Sequence, residues 1–466
     1  MNQQLFEQKI SELKSRRGAD SASVEAVDAI AATARTWLES GDLIKIHRIN
    51  PHQVQEQSGV PVARLVPEFL HGVRAQLFDL HWDVHCPHCN GITQEYGNLS
   101  EAGEPGECLM CEVEFDVDFI RRVEVTFSLN KEILDLNLPP VCAVPDSLNA
   151  KYLIHGLAPH TVAAGEAELA PGEYQYYCPL TFSKGVLNIS SENESAPLDE
   201  DGAQLLAFDQ LDGKFSATRL AAKPGKIRFR VNNLSESLAG LILKENRLGP
   251  EIPLEELGPR LSGLDLTHYP VFRRLFGDQA PSEREKIKIE AVTVLFTDIT
   301  GSTEMYERLG DTTAYNIVRD HFDILIQEFE SNGGVVIKTI GDSLMASFTS
   351  NIDALKALLP LRERLEEYNR DKPEGKQVRI RIGMHRGPAI LVNLNGRLDY
   401  FGTSVNKASR IESVSRSREL SISQEVFEDR RVLSFLKQNG YRELRKRSAR
   451  LKGIDGDQPV YSLAIA

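Results

Sequence analysis

The sequence predicts a multidomain α+β protein. A helical, winged-helix-like module with a cysteine ribbon comes first, then an antiparallel β-sandwich-like domain, then a ferredoxin-like βαββαβ domain. Three observations predict it. Residues 1–85 carry apolar side chains at helical spacing, and residues from about 140 to 247 switch to short alternating runs between Gly, Pro and Asn-Asn turns. From Ile287 onward, strand-like apolar runs alternate with amphipathic helical segments. At 466 residues the chain is too long for one core, and these shifts divide it into 1–139, 140–247, a connector at 248–286, and 287–466.

In the first region Ala26 to Leu38 reads as a helix ending at Gly41. Asn50 to Gly59 and Val60 to Leu70 read as a helix, a glycine turn and a second helix. Such a pair can read DNA. Here, however, Lys45, Arg48, Arg64 and Arg74 are balanced by Glu56, Glu68, Asp79 and Asp83, whereas a DNA reader displays a basic face. The formal net charge of −13 likewise argues against nucleic acid and anionic membranes as partners. No apolar run approaches the roughly 18 residues of a membrane span. The N-terminal Met1-Asn-Gln-Gln-Leu-Phe lacks the apolar stretch of a secretory signal, so the expected location is cytoplasmic.

Cys86-Pro-His-Cys89 and Cys108-Leu-Met-Cys111 place two thiolates on each of two tight turns. That spacing predicts a tetrahedral structural zinc site of Cys86, Cys89, Cys108 and Cys111, holding a module too small to bury much. The remaining cysteines, Cys142 and Cys178, are isolated, so no disulfide framework is implied. His81, His85 and His88 read as ordinary polar neighbours of the site.

Gln175-Tyr-Tyr, Val186-Leu-Asn-Ile and Lys226-Ile-Arg-Phe-Arg-Val carry the alternation of the β domain. Its Cys178-Pro loop has the cadence of a blue-copper loop but lacks the His and Met ligands that copper needs. The connector is apolar from Leu261 to Gly277, then polar to Arg284, which reads as a hinge.

Beyond it the predicted order is strand (Ile287–Thr297), helix (about 313–330), two strands (around Ile340 and Leu344–Phe348), helix (Ile352–Asn369) and strand (Val378–Met384). Asp298 ends the first strand before a small-residue turn into a helix, and Asp342 sits on a Gly-Asp turn after Val335-Val336-Ile337. Two carboxylates at adjacent strand ends can share a pair of divalent cations, and the free amides of a helix start can cradle phosphates. Taken singly, Asp298 also reads as a helix cap and Asp342 as a turn residue.

Four segments in order resemble the motifs of the class III nucleotidyl cyclases, over roughly the last 180 residues. They are Phe296-Thr-Asp298-Ile-Thr-Gly-Ser-Thr303, Lys338-Thr-Ile-Gly-Asp342, Asp399-Tyr-Phe-Gly402-Thr-Ser-Val-Asn406-Lys-Ala-Ser-Arg410, and Leu451-Lys452-Gly453. The resemblance implies an adenylyl cyclase that forms 3′,5′-cyclic AMP and pyrophosphate by two-metal catalysis at a homodimer interface. It implies that Asp298, Asp342 and the Ile299 carbonyl bind two Mg²⁺ or Mn²⁺, and that Thr300, Gly301, Ser302 and Thr303 offer amides to the phosphates. It implies that Asn406 orients the ribose, Arg410 stabilises the pentavalent phosphorus, and Lys452 holds the terminal phosphates. Lys338 and Asp399 fall at the family's base-reading positions. Asp399 can accept from the adenine amine and Lys338 can donate to N1, whereas guanylyl enzymes usually carry Glu and Cys there, so ATP is the expected substrate.

The first 250 residues resemble a bacterial regulatory region that precedes such cyclases, which implies a small-molecule or protein regulator. The alternative is a DNA- or protein-binding regulator that uses the cyclase fold as a nucleotide-binding dimerisation domain. Asn406 and Arg410 argue against it, because a pure binder needs neither.

Overall fold

The computed structural model describes residues 1–18, 20–99, 105–118, 122–136, 150–198, 200–246, 248, 250–253, 256–277, 287–394, 397–441 and 444–464. Cys142, the expected boundary at 139/140 and the hinge from 278 to 284 lie outside them. The chain forms two compact units, one of Met1–Gly97, Pro105–Val117 and Arg122–Leu261, the other centred on Ser262–Ala466. Among the described residues no helix is long and apolar enough to cross a membrane.

The first unit opens with α1 (Gln3–Arg17), α2 (Ser21–Glu39), α3 (Leu43–His47), α4 (Pro51–Ser58) and α5 (Val62–Arg74). Asn50 caps α4 by accepting from the His52 amide, Pro51 opens it, and Gly59 ends it at φ +76°, a conformation glycine adopts without strain. A helix, a glycine turn and a second helix thus follow one another here. The second helix nevertheless buries Leu65, Val66, Phe69 and Leu70. Arg17 grips the buried Glu68 at 3.0 Å, and Arg64 leans toward Glu25 at 3.5 Å.

Strands β1 (Phe78–His85), β2 (Ile92–Tyr96), β3 (Gly106–Cys108), β4 (Val113–Phe115) and β5 (Val123–Leu129) follow. They make an antiparallel sheet β2-β1-β5 and a separate β3-β4 hairpin. Phe127 of β5 stacks on Phe69 at 4.5 Å, which ties the sheet to the helices.

The β domain comprises β6 (Tyr152–Leu157), β7 (Val162–Leu169), β8 (Gly172–Tyr177), β9 (Lys184–Ile189), β10 (Gln204–Leu211), β11 (Lys214–Phe215), β12 (Arg219–Ala222), β13 (Gly225–Asn233) and β14 (Ala239–Glu245). Two sheets, β11-β10-β13-β7 and β12-β9-β8-β14-β6, enclose Tyr176, Phe208, Phe215 and Phe229. The expectation of a wholly antiparallel domain is corrected here: β10 pairs with β13, and β12 with β9, in parallel. In both cases the chain passes to the other sheet and returns beside the strand it left, which reverses the hairpin sense. Cys178 is buried in the sandwich core, as a small apolar side chain would be.

The second unit begins with α6 (Gly263–Thr267) and α7 (Pro270–Leu275), then β15 (Ile287–Ile299), α8 (Ser302–Leu309), α9 (Asp311–Ser331), β16 (Gly334–Ile340), β17 (Ser343–Phe348), α10 (Asn351–Leu358), α11 (Leu361–Asn369) and β18 (Ile380–Leu394). It continues with β19 (Arg397–Phe401), α12 (Thr403–Val414), β20 (Glu419–Ser423), α13 (Gln424–Phe427), α14 (Arg430–Gln438), β21 (Arg445–Arg450) and β22 (Asp457–Ala464). The sheet order β16-β17-β15-β18-β20-β22-β21, with β19 on β18, contains the expected βαββαβ layer. Leu325 and Phe329 of α9 pack on Leu295, Phe348, Ile382 and Met384 of the sheet. The single helix expected over 352–369 is two, α10 and α11. Pro360 between them has no amide to donate back, which breaks the helical ladder.

Candidate active site

The two metal-motif carboxylates stand together. Asp298 lies near the end of β15, and Asp342 on the β16–β17 turn that Gly341 makes possible at φ +64°. Ser343 donates to Asp298 Oδ1 at 2.6 Å. Asp342 Oδ2 is buried and, among the described residues, has no hydrogen-bond partner. Burial first, and then the neighbouring Asp298 charge, push the Asp342 carboxyl above the usual carboxylate range, while the Ser302 hydroxyl pulls the other way. A buried, unpartnered carboxylate oxygen beside a second carboxylate fits hard divalent cations such as Mg²⁺ or Mn²⁺.

The phosphate-cradling turn departs from expectation at one residue. The Thr300 amide donates to the Arg379 carbonyl at 2.8 Å, as an extension of the sheet, and so is not free for a phosphate. Gly301, Ser302 and Thr303 remain. They lie at the start of α8, where the first amides have no acceptor within the helix.

Lys338 on β16 and Asp399 on β19 meet: Lys338 Nζ donates to Asp399 Oδ2 at 2.5 Å. The Tyr400 amide donates to the other oxygen at 2.8 Å, so this buried carboxylate is fixed from both sides. Asn406 and Arg410 lie four residues apart on α12 and therefore share a face. Among the described residues neither side chain makes a hydrogen bond or ion pair. Ile411 of the same helix packs on Leu451 and Val460, which sets the exposed Lys452 and its Gly453 turn (φ +79°) beside α12. Among the described residues no hydrogen bond or ion pair joins the pair Asp298 and Asp342 to Lys338, Asp399, Asn406, Arg410 or Lys452.

One site residue was not expected from sequence. Arg381 on β18 stands opposite Asp298 in the β15–β18 ladder and donates to its Oδ2 through Nε at 3.0 Å and Nη2 at 2.6 Å. The same guanidinium lies 2.7 Å from Glu412 of α12, whose carboxyl burial pushes up to about 7 against the pull of Arg381. A guanidinium here can serve a phosphate oxygen as readily as a carboxylate. The signal in the sequence was an arginine on the half-buried alternation Val378-Arg-Ile-Arg-Ile.

In the first unit the ligand atoms of Cys86, Cys89, Cys108 and Cys111 all lie within 4.8 Å of one another. The two knuckles match. Asn90 and Glu112, each following the second cysteine of its pair, are both left-handed (φ +54° and +57°). The His88, Gly91 and Cys111 amides point at the Cys86, Cys89 and Cys108 sulfurs at 3.3–3.4 Å. Convergent thiols with amide donors to sulfur fit a tetrahedral zinc ion. His85 braces the first knuckle through the Asn90 carbonyl at 2.8 Å, and His81 pairs with Glu95 at 2.5 Å, so neither belongs to the ligand cluster.

The adenylate and guanylate cyclase catalytic domain family matches residues 285–464, and a family of unknown function (DUF5939) matches residues 8–149. An adenylate cyclase of Anabaena cylindrica is 32% identical over 154 residues, 29% of this chain and 31% of that protein. The receptor-type guanylate cyclase gcy-8 of Caenorhabditis elegans is 32% identical over 143 residues, 28% of this chain and 12% of that protein. The chain therefore spans about a third or less of these curated relatives. Among solved structures, the adenylyl cyclase CyaB from P. aeruginosa matches at 24% identity over 38% of this chain and 95% of that one, with a TM-score of 0.32. Residues 285–464 of this chain belong to the class III nucleotidyl cyclase catalytic domains.

Proposed function

We propose that the protein is an adenylate cyclase that converts ATP to 3′,5′-cyclic AMP and pyrophosphate at sites shared by the two subunits of a homodimer. The observation that carries this reading is the buried, unpartnered Oδ2 of Asp342 beside Asp298. Two Mg²⁺ or Mn²⁺ ions held by Asp298, Asp342 and the Ile299 carbonyl would activate the ribose 3′-oxygen and offset the charge of the triphosphate.

The rest is done by the chain itself. The amides of Gly301, Ser302 and Thr303 bind phosphate oxygens. Asp399 accepts from the adenine amine while Lys338 donates to N1, a donor–acceptor order that guanine does not match. Asn406 orients the ribose, Arg410 donates to the α-phosphate oxygens as charge builds on them, and Lys452 holds the departing pyrophosphate. Among the described residues the Asn406 and Arg410 side chains have no hydrogen-bond or ion-pair partner. Two subunits arranged head to tail would bring each such pair onto the partner's carboxylates and complete two equivalent sites. Residues 1–261 serve as the regulatory region for a small-molecule or protein signal, with the zinc as a structural ligand of that region.

The test is cyclic nucleotide production by the purified chain from ATP and from GTP, with Mg²⁺ or Mn²⁺, beside Asp342→Ala. Cyclic AMP from ATP, lost in the variant, is the expected result. Cyclic GMP as the main product would overturn the base assignment, and no product from either nucleotide would overturn the catalytic one.

A further inference from the structure

The segment just ahead of β15 touches the strand that carries the base-reading carboxylate. Helix α6 starts with a capping box between Ser262 and Asp265, and Leu264, Leu266, Phe272 and Phe276 of α6–α7 are buried. Between the two helices His268 is 5% exposed. Its Nδ1 lies 2.9 Å from the Leu264 carbonyl, which can only accept, so Nδ1 carries the proton and Nε2 accepts from the Ser347 hydroxyl of β17 at 3.1 Å. Arg273 donates through Nε to the Thr267 carbonyl at 2.8 Å and through Nη1 to the Leu398 carbonyl at 3.0 Å. Tyr400, 1% exposed, has its ring 6.1 Å from that of His268.

Residues 398 and 400 flank Asp399. The first is held through its carbonyl by Arg273, and the second packs beside His268 while its amide fixes Asp399 Oδ1. A carboxylate gripped by its own strand stands only as firmly as that strand, and a shift of about 1 Å is enough to spoil a preorganised contact.

We infer that Arg273 is a positioning residue for Asp399: its bond to the Leu398 carbonyl sets where the carboxylate meets the purine, so the connector governs base discrimination. The inference rests on the adenylate cyclase reading above. Among the described residues no hydrogen bond or ion pair joins Arg273 to Asn406 or Arg410 of α12, and its bonds go to the Thr267 and Leu398 carbonyls. Loosening it therefore disturbs recognition of the base before the chemical step.

The test uses the full chain with Arg273→Ala and Arg273→Lys, reading kcat and KM for ATP and for GTP together with melting temperature. The affinities of ribose-labelled fluorescent ATP and GTP are read alongside. Arg273→Ala is expected to lower the ATP-over-GTP ratio of kcat/KM by about tenfold or more, chiefly through the KM for ATP, with lysine regaining part of it. An unchanged ratio, or an equal fall in kcat for both nucleotides, overturns the inference. If the alanine variant does not fold, the lysine variant decides by the same ratio. If the parent chain binds nucleotides without turning them over, the catalytic reading has failed. The ratio of the two labelled-nucleotide affinities then decides on Arg273, and equal losses for ATP and GTP overturn it.

Discussion

Arg381 faces Asp298 across the β15–β18 ladder and holds one oxygen of that carboxylate with two donors, at 3.0 and 2.6 Å. This pairing offsets part of the like-charge repulsion that would otherwise set Asp298 against Asp342. It also puts a guanidinium at the place where the proposed reaction gathers negative charge. Arg381→Ala is expected to lower kcat by about a hundredfold, the scale for one preorganised donor, with Arg381→Lys restoring only part because the fork geometry is lost. Steady-state rates of the two variants check it.

Why Arg381 escaped a reading of the sequence is physical. Its neighbours Val378-Arg-Ile-Arg-Ile say only that alternate side chains are wet, and nothing local says which carboxylate lies opposite. That depends on the register of β15 against β18, a pairing between residues far apart in the chain. The same limit explains the parallel pairs of the sandwich, where alternation marked β9 and β13 as strands but could not give the direction of the strands they pair with. The positions of Asp298, Asp342, Asn406 and Arg410 were legible because each sits in a strand-end turn or on a helix face defined by its immediate neighbours. The break at Pro360 was also legible in principle, since a proline interrupts the helical run, and the amphipathic pattern on both sides masked it.

Among the described residues the Asn406 and Arg410 side chains make no hydrogen bond or ion pair, so removing them should cost little stability and much rate. Asn406→Ala and Arg410→Ala are each expected to lower kcat by about 10²–10³, with the KM for ATP changed far less and the melting temperature nearly unchanged. A loss expressed mainly in KM would assign these residues to ground-state binding instead.

Lys338 and Asp399 form one 2.5 Å pair, and base choice is expected to follow the pair rather than either member. Replacing both, as Lys338→Glu with Asp399→Cys, is expected to lower the ATP-over-GTP preference by at least about tenfold, or about 1.4 kcal/mol. Either single change is expected to lower activity with both nucleotides, because each leaves a charged partner unpaired. Competition between ATP and GTP in one reaction reads the preference directly.

The cysteine knuckles make a prediction independent of catalysis. The purified chain is expected to contain one zinc per molecule by elemental analysis. Cys86→Ser with Cys108→Ser is expected to remove it and to lower the first unit's melting temperature by at least about 5 °C, roughly 2 kcal/mol for a unit of this size. An unchanged melting temperature with the metal gone would mean that the thiols pack as well without it.

The central claim is that one catalytic site needs residues from two chains, and mixing two dead variants tests it most directly. Asp342→Ala lacks a proposed metal carboxylate and Arg410→Ala the proposed transition-state cation, so each homodimer is expected to be inactive. After unfolding and refolding together in equal amounts, half of the dimers would be mixed, each with one intact site, and about a quarter of the parent activity is expected to return. Failure of the mixture to recover activity, with both variants folded and the parent active, would place the whole site within a single chain and contradict the account.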